Sequence, residues 1–327
     1  MAQSTIPTVH KEAKAVSTAS IVLAFASVYF FWGSTYTAIR IGAADMPALL
    51  LAGTRFVIAG AILLAWCRWR GLRLVWPPKT MLLLGLIGLL LLGGGNVGLV
   101  YAERTVPSGL ASLAFAVIPL YVALIEMFLP EGEPLPVRGW MGLLLGFAGL
   151  VVLLWPSLRT GLSGDRALLW SIVALLAGAL SWTVGSIVSR RARLKVNSFV
   201  AAAWQMIAAG ALSTLFGTAL GQWPQFHLTL SAAGSLAYLI TGGSLLGYTG
   251  YIYLIEHVPV GKVASYAYVN PVVAVLLGIF FLHERPAPAE FGGMAAIVLA
   301  VFMLTTAQFK AKGSPQPVEQ LEQIPPE

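Results

Sequence analysis

Ten apolar runs, each about as long as a bilayer is thick, constrain this chain more than any other feature. A helix needs roughly 20 apolar residues to cross the hydrocarbon core. Runs of that order occupy approximately 17–39, 46–66, 81–101, 106–127, 137–156, 167–189, 197–219, 232–254, 259–282 and 288–308. In lipid, backbone N–H and C=O groups must pair within the segment, so such runs fold as helices. The predicted class is an all-α integral membrane protein with ten transmembrane helices. Composition agrees. Of 327 residues, 58% are hydrophobic and 10% charged, against about 25% charged in soluble domains. A soluble enzyme, a disordered chain and a collagen-like fibre are excluded.

The first run continues to Arg40 without a charge, about 25 residues, which exceeds a signal-peptide core and reads as a span. Cys67 is the only cysteine, so no intramolecular disulfide forms. The net charge of +7 sits in short loops and predicts topology rather than nucleic-acid binding. With the N-terminus inside, fourteen Lys and Arg fall in inside segments and five in outside ones, with Arg55 within a span. Both termini are therefore expected in the cytoplasm. The polar tails, 1–16 and 309–327, carry no apolar periodicity, and the second is expected to be disordered.

The chain repeats itself. At an offset of 152, ten of the 34 positions from 95 to 128 are identical, among them Gly95/Gly247, Pro107/Pro259, Gly109/Gly261 and Pro119/Pro271. At an offset of 150, Trp32/Trp182, Arg40/Arg190 and Gly60/Gly210 agree. The prolines and glycines carry weight because they set backbone geometry. The repeats are 17–156 and 167–308, five spans each. Five is odd, so the second copy enters the membrane from the opposite side. Loop charge fits: 67–80 holds four basic residues and 220–231 none. Inverted repeats are a common build for secondary transporters, since exchanging the conformations of the halves turns the molecule from one side to the other.

The first repeat carries Phe31-Trp32-Gly33-Ser34, Arg55-Phe56, Val106-Pro107-Ser108-Gly109, Pro119, Glu133 and Gly142. The second carries Val258-Pro259-Val260-Gly261, Asn270-Pro271, His283-Glu284-Arg285 and Gly292-Gly293. On these residues the chain resembles the drug/metabolite transporter superfamily, EamA type, with two EamA repeats covering roughly 17–308. The resemblance implies a ten-helix inner-membrane carrier, often an exporter of amino acids or other small metabolites, with a layout similar to the aromatic amino acid exporters. The run Pro130-Glu131-Gly132-Glu133 departs from the Gly-Glu pair usual in the family.

Candidate substrate residues follow from polar groups placed in apolar runs. Ser244, Tyr248 and Tyr251 are spaced i, i+4, i+7 and share a helix face. Pro271 frees the Ala267 carbonyl, and Tyr266, Tyr268 and Asn270 surround that gap. Their first-repeat counterparts are Ala114, Ala116 and Ile118, so the polar aromatic dressing is one-sided. Interhelical hydrogen bonding is the competing account. Pro119 and Pro271 are candidate kinks or hinges. Asn96 is the counterpart of Tyr248. Arg55, mid-span, must face the bundle or a wet cavity; it either receives a substrate carboxylate or pairs with Glu103 or a helix carbonyl. Its counterpart is Gln205. Trp32 and Trp182 either wall the cavity or pack. Glu103, Glu126 and Glu256 fall at or near span ends and read as solvated.

Neither a zincin motif, a paired intramembrane Asp nor a phosphate-binding loop occurs, so no enzyme, cofactor or metal site is expected. A channel or lipid-moving scaffold is the alternative to a carrier. The expected partners are a small-molecule substrate and membrane lipid, without nucleic acid, and the chain is expected to be a monomer.

Overall fold

The computed structural model describes residues 18–130, 136–258, 263, 266–286 and 288–312, excepting the side chains of 268, 289, 290, 301 and 304–312. The Glu131–Glu133 departure and both distal tails lie outside the described residues. Every long element is a helix: α1 Thr18–Asp45, α2 Ala48–Trp69, α3 Pro78–Ala102, α4 Ser108–Glu126, α5 Val137–Leu162, α6 Arg166–Ala192, α7 Ser198–Ala219, α8 Leu230–His257, α9 Tyr266–Leu282 and α10 Pro288–Lys312. The first eight are long and apolar enough to cross a membrane, and α9 and α10 hold shorter apolar stretches, Val269–Leu282 and Phe291–Ala300. Three C-terminal boundaries lie four or more residues past expectation, α5 among them, which ends at Leu162 rather than 156. Helix α1 runs past 39 to Asp45, because Arg40 finds partners inside the bundle, and α10 runs past 308 to Lys312.

The packing has the two-fold pattern that repeats require. Repeat mates α2 and α7 lie side by side, as do α5 and α10. Helix α6 packs on α3 and α4, and its mate α1 packs on α8 and α9. Each half therefore seats its first helix against the other half. Without a hydrophobic drive between helices in lipid, such contacts depend on close approach of small residues. On α5–α10, a Cβ built on Gly149 would lie 3.1 Å from the Gly293 carbonyl oxygen.

Three helices widen to i→i+5 hydrogen bonding: α1 at Val28–Trp32, α3 at Leu89–Asn96 and α8 at Leu239–Tyr248. The segments in α3 and α8 occupy matching places in the two repeats and contain the glycine runs Gly93-Gly94-Gly95 and Gly242-Gly243. Such widened turns leave carbonyls turned out of the ladder and recur at functional sites. The two prolines act differently. Helix α4 is interrupted at Ala116–Val117, with Pro119 at the second position of the segment that follows. Pro271 sits within an uninterrupted α9, whose described backbone shows no break there.

Helix α3 meets α7 at Gly88, where an added Cβ would lie 2.3 Å from the Gln205 carbonyl oxygen. At Gly85, one turn earlier, the nearest atom is Ala208 Cβ at 3.7 Å. Gly88→Ala is expected to destabilise the protein by about 1–3 kcal/mol, read as a lower Tm in detergent. Gly85→Ala should leave Tm near the native value, and equal behaviour of the two variants would contradict this packing.

Candidate functional site

A narrow central cavity of about 530 Å³ lies where the three widened segments converge. That figure includes open space; the free room inside is about 50 Å³, below the usual range of small-molecule sites, so a ligand enters only if the wall gives. Trp32, Arg55, Asn96, Trp182, Tyr248, Tyr266 and Asn270, all expected from sequence, line it. Thr35, Tyr36, Phe56, Leu92, Leu99, Phe115, Ile118 and Gly243 complete the wall. The signal for several of these was helical spacing: Thr35 and Tyr36 follow Trp32 by one turn, and Leu92 and Leu99 flank Asn96 by one turn each.

Arg55 is the only charged residue among the described lining residues, and it is 3% exposed. Its Nε donates to Ser244 Oγ at 2.8 Å, while Nη1 is buried without a partner. The pairing with Glu103 considered from sequence is absent. The one ion pair within 4.0 Å among the described residues is Arg190–Glu126, at 3.5 Å. An uncompensated buried charge costs about 3–5 kcal/mol, so any group that accepted from Nη1 would relieve it. Two amide oxygens in the same cavity, Asn96 Oδ1 and Asn270 Oδ1, are also buried and unpaired. The cavity thus offers one fixed positive group and two acceptors.

An aromatic wall stands beside these groups. Trp32 has its ring centroid 5.3 Å from Trp182, 4.8 Å from Tyr251 and 5.6 Å from Tyr266. The Trp32 indole N–H donates to the Gly243 carbonyl at 3.1 Å, a carbonyl in the widened segment of α8. The Trp182 indole donates to Tyr251 Oη at 3.3 Å, and Tyr251 and Ser186 hydroxyls lie 3.0 Å apart. Tyr251 and Ser244 therefore do not line the cavity; they fix Trp182 and Arg55 from behind. The side chain of Tyr268 lies outside the described residues.

A second cavity, about 1330 Å³ including its mouth, opens at the end of the bundle that carries Arg190 and His257. Gln205 lines it, and Gln205 Oε1 accepts from Tyr248 Oη at 2.6 Å. One hydrogen-bonded pair thus stands between this vestibule and the central cavity. The opposite end is tied shut. Arg40 donates through Nη1 to the carbonyls of Glu103 and, at 3.4 Å, Val106. Glu284 accepts from the backbone N–H groups of Ser108 at 2.7 Å and Gly109 at 3.1 Å, holding the α9–α10 connection on the start of α4. A carboxylate is favoured there by the free N–H groups of a helix N-terminus.

The solvated reading of Glu103 is wrong. Its side chain is 0% exposed, because the α1 and α4 ends close over it, and neither carboxyl oxygen has a hydrogen-bond partner. Glu256 is exposed and Glu126 half-buried, as befits helix ends.

Known proteins share this build. The profile of the EamA-like transporter family matches residues 19–155 and 169–306. An inner membrane transporter of Escherichia coli K12, YedA, is 37% identical over 290 residues, covering 88% of this chain and 92% of that protein. The transporter YoaV of Bacillus subtilis is 27% identical, covering 87% and 96%. A crystal structure at 25% identity superposes with a TM-score of 0.66, over 90% of this chain and 100% of the other.

The Tyr248–Gln205 pair makes a checkable unit. Tyr248→Phe leaves Gln205 Oε1 buried without its donor and should cost about 1–3 kcal/mol. Adding Gln205→Leu removes the orphaned acceptor, so the double variant should be less destabilised than the sum of the singles. Thermal unfolding of the four proteins in detergent measures that coupling; strict additivity would show that the bond is not made.

Proposed function

The chain belongs to the EamA-like transporter family, and from that membership we propose that it carries small zwitterionic metabolites across the inner membrane by alternating access. Amino acids with apolar or aromatic side chains are the favoured substrates, moved outward as the family resemblance implies. The observation that carries the substrate class is the free Arg55 Nη1 beside two free amide oxygens in one aromatic cavity. A carboxylate satisfies the guanidinium through a charge-assisted bond. An ammonium satisfies Asn96 and Asn270 and sits well against aromatic faces. Leu92, Leu99, Phe115 and Ile118 then suit an apolar side chain.

Lys and Arg counts support the Arg190 end as cytoplasmic. On that orientation the described conformation is open inward through the vestibule and closed outward. The repeat supports an exchange of these states. Arg40 seals the outer end on the carbonyls of Glu103 and Val106. Its mate Arg190 faces the inner vestibule, whose wall includes Ile255 and Val258, the counterparts of Glu103 and Val106. Arg190 instead makes a half-exposed contact to Glu126. In the outward-open state Arg190 closes on the Ile255 and Val258 carbonyls as Arg40 does here.

Counterflow in proteoliposomes tests the substrate class. A panel of labelled amino acids should include one that exchanges saturably, and its decarboxylated amine should not compete. Arg55→Leu and Asn270→Ala are each expected to reduce exchange at least about 10-fold, the weight of a charge-assisted contact, with unchanged membrane abundance. Linear flux would favour a pore instead, and a silent panel would exclude amino acids.

The latch has its own test. Arg190→Ala should leave substrate binding intact while slowing exchange at least about 10-fold, because the inner end no longer closes. Wild-type exchange by this variant would remove Arg190 from the cycle.

A further inference from the structure

We propose that Glu103 is a proton-binding site, and that the outer end of the protein closes only when this carboxyl group carries a proton. The inference rests on the family membership and on the geometry of one end of the bundle, not on the substrate.

The observation is a fully buried carboxyl group without a hydrogen-bond donor among the described residues. Glu103 caps the last turn of α3, just beyond the span Pro78–Ala102. It is 0% exposed, and both side-chain oxygens lack a hydrogen-bond donor among the described residues. The neighbouring cation does not pair with it. Arg40 directs Nη1 to the backbone carbonyls of Glu103 and Val106, and no Arg40–Glu103 carboxylate contact falls within 4.0 Å. Taking an unpaired carboxylate out of water is so costly that the group neutralises instead.

The groups around it fit. From α1, Arg40 and Tyr36 face Glu103, and from the α9–α10 connection Glu284 does. Burial holds the Glu103 carboxyl well above the ordinary carboxylate range; Arg40 opposes this and Glu284 adds to it. Glu284 itself accepts from the backbone N–H groups of Ser108 and Gly109. At the inner end the counterpart of Glu103 is Ile255, and the neighbouring Glu256 is exposed and accepts from the Ser198 hydroxyl. The arginine latch is duplicated; the carboxyl is not.

The proton balance follows. On closure, a proton from water joins the Glu103 carboxylate and makes a neutral acid. On opening, the acid meets solvent, returns toward the ordinary glutamate value of about 4.3, and releases that proton. The closed form holds the proton more tightly, so acid favours closure. That preference is lost as pH rises from the open-form value toward the closed-form value. In that window the opening equilibrium shifts about tenfold per pH unit, one proton being linked to the change.

Two measurements on the full chain in nanodiscs decide it. The first is infrared spectroscopy at neutral pH. The native protein should show the carbonyl stretch of a protonated carboxylic acid. Glu103→Gln should lack it and Glu103→Asp should shift it; absence of the band from the native protein overturns the proposal. The second is labelling of Val106→Cys in a Cys67→Ala background, Val106 being buried beneath Arg40. Rates are normalised to the same cysteine in the unfolded chain, which removes thiol chemistry. With Glu103 the normalised rate should rise as pH rises above the ordinary glutamate range, by up to about tenfold per unit. With Glu103→Gln it should stay slow and flat. An unchanged pH dependence in Glu103→Gln, or none in the native protein, overturns the proposal. Nanodiscs expose both faces, so an error in orientation or in substrate leaves both readings unaffected.

Discussion

A guanidinium buried at the centre of an apolar bundle is the constraint around which the rest of this molecule is arranged. Arg55 cannot leave, since its side chain is buried where α2 meets α8. It cannot be neutralised by a neighbour, since no carboxylate reaches it among the described residues. The bundle therefore holds it with one hydrogen bond from Nε to Ser244 and leaves Nη1 buried without a partner in the wall of a cavity. A charge in lipid is tolerated only toward protein or water. The cavity is thus a condition for placing the arginine as much as a space for a ligand.

The widened turns are the second device. A regular α-helix presents no free carbonyl to its neighbours. Helix α8 departs from that over Leu239–Tyr248, and the Gly243 carbonyl then receives the Trp32 indole. Trp32 in turn packs edge-on against Trp182 and Tyr266. The same departure in α3 ends at Asn96. Two duplicated segments thus bring the matched residues Asn96 and Tyr248 to the cavity from opposite halves. The repeat supplies the scaffold, and unlike side chains at matched positions supply the chemistry.

Symmetry in the latch arginines and asymmetry in the surrounding carboxyl groups have different consequences. Arg40 and Arg190 occupy equivalent places, yet one is locked to helix carbonyls and the other stands at an open vestibule. Two conformations of one repeat are therefore present in a single chain. Glu103 breaks the equivalence, because its counterpart is apolar. A bundle with identical ends would respond identically to both solutions; among the described residues this one buries an unpartnered carboxyl at one end only.

The sequence by itself determined the class, the repeat and much of the site. Apolar runs near 20 residues admit one backbone solution in lipid, and Arg55, Asn96, Tyr248 and Asn270 stand out because polar groups in such runs need a reason. Tyr251 and Ser244 were legible as buried and polar, but not as supports behind Trp182 and Arg55. A period of 3.6 could not describe them, because the helix itself changes pitch there. Glu103 was misjudged for a related reason. Position along a span reports distance from the bilayer centre, whereas solvation at a helix end depends on which other ends close over it. Only the packed ends of α1 and α4 decided that burial, and only packing joined Gln205 to Tyr248 across 43 residues of sequence. Local hydrophobicity acts through the chain's immediate neighbours; seals, cavities and latches form between segments that the chain brings together from far apart.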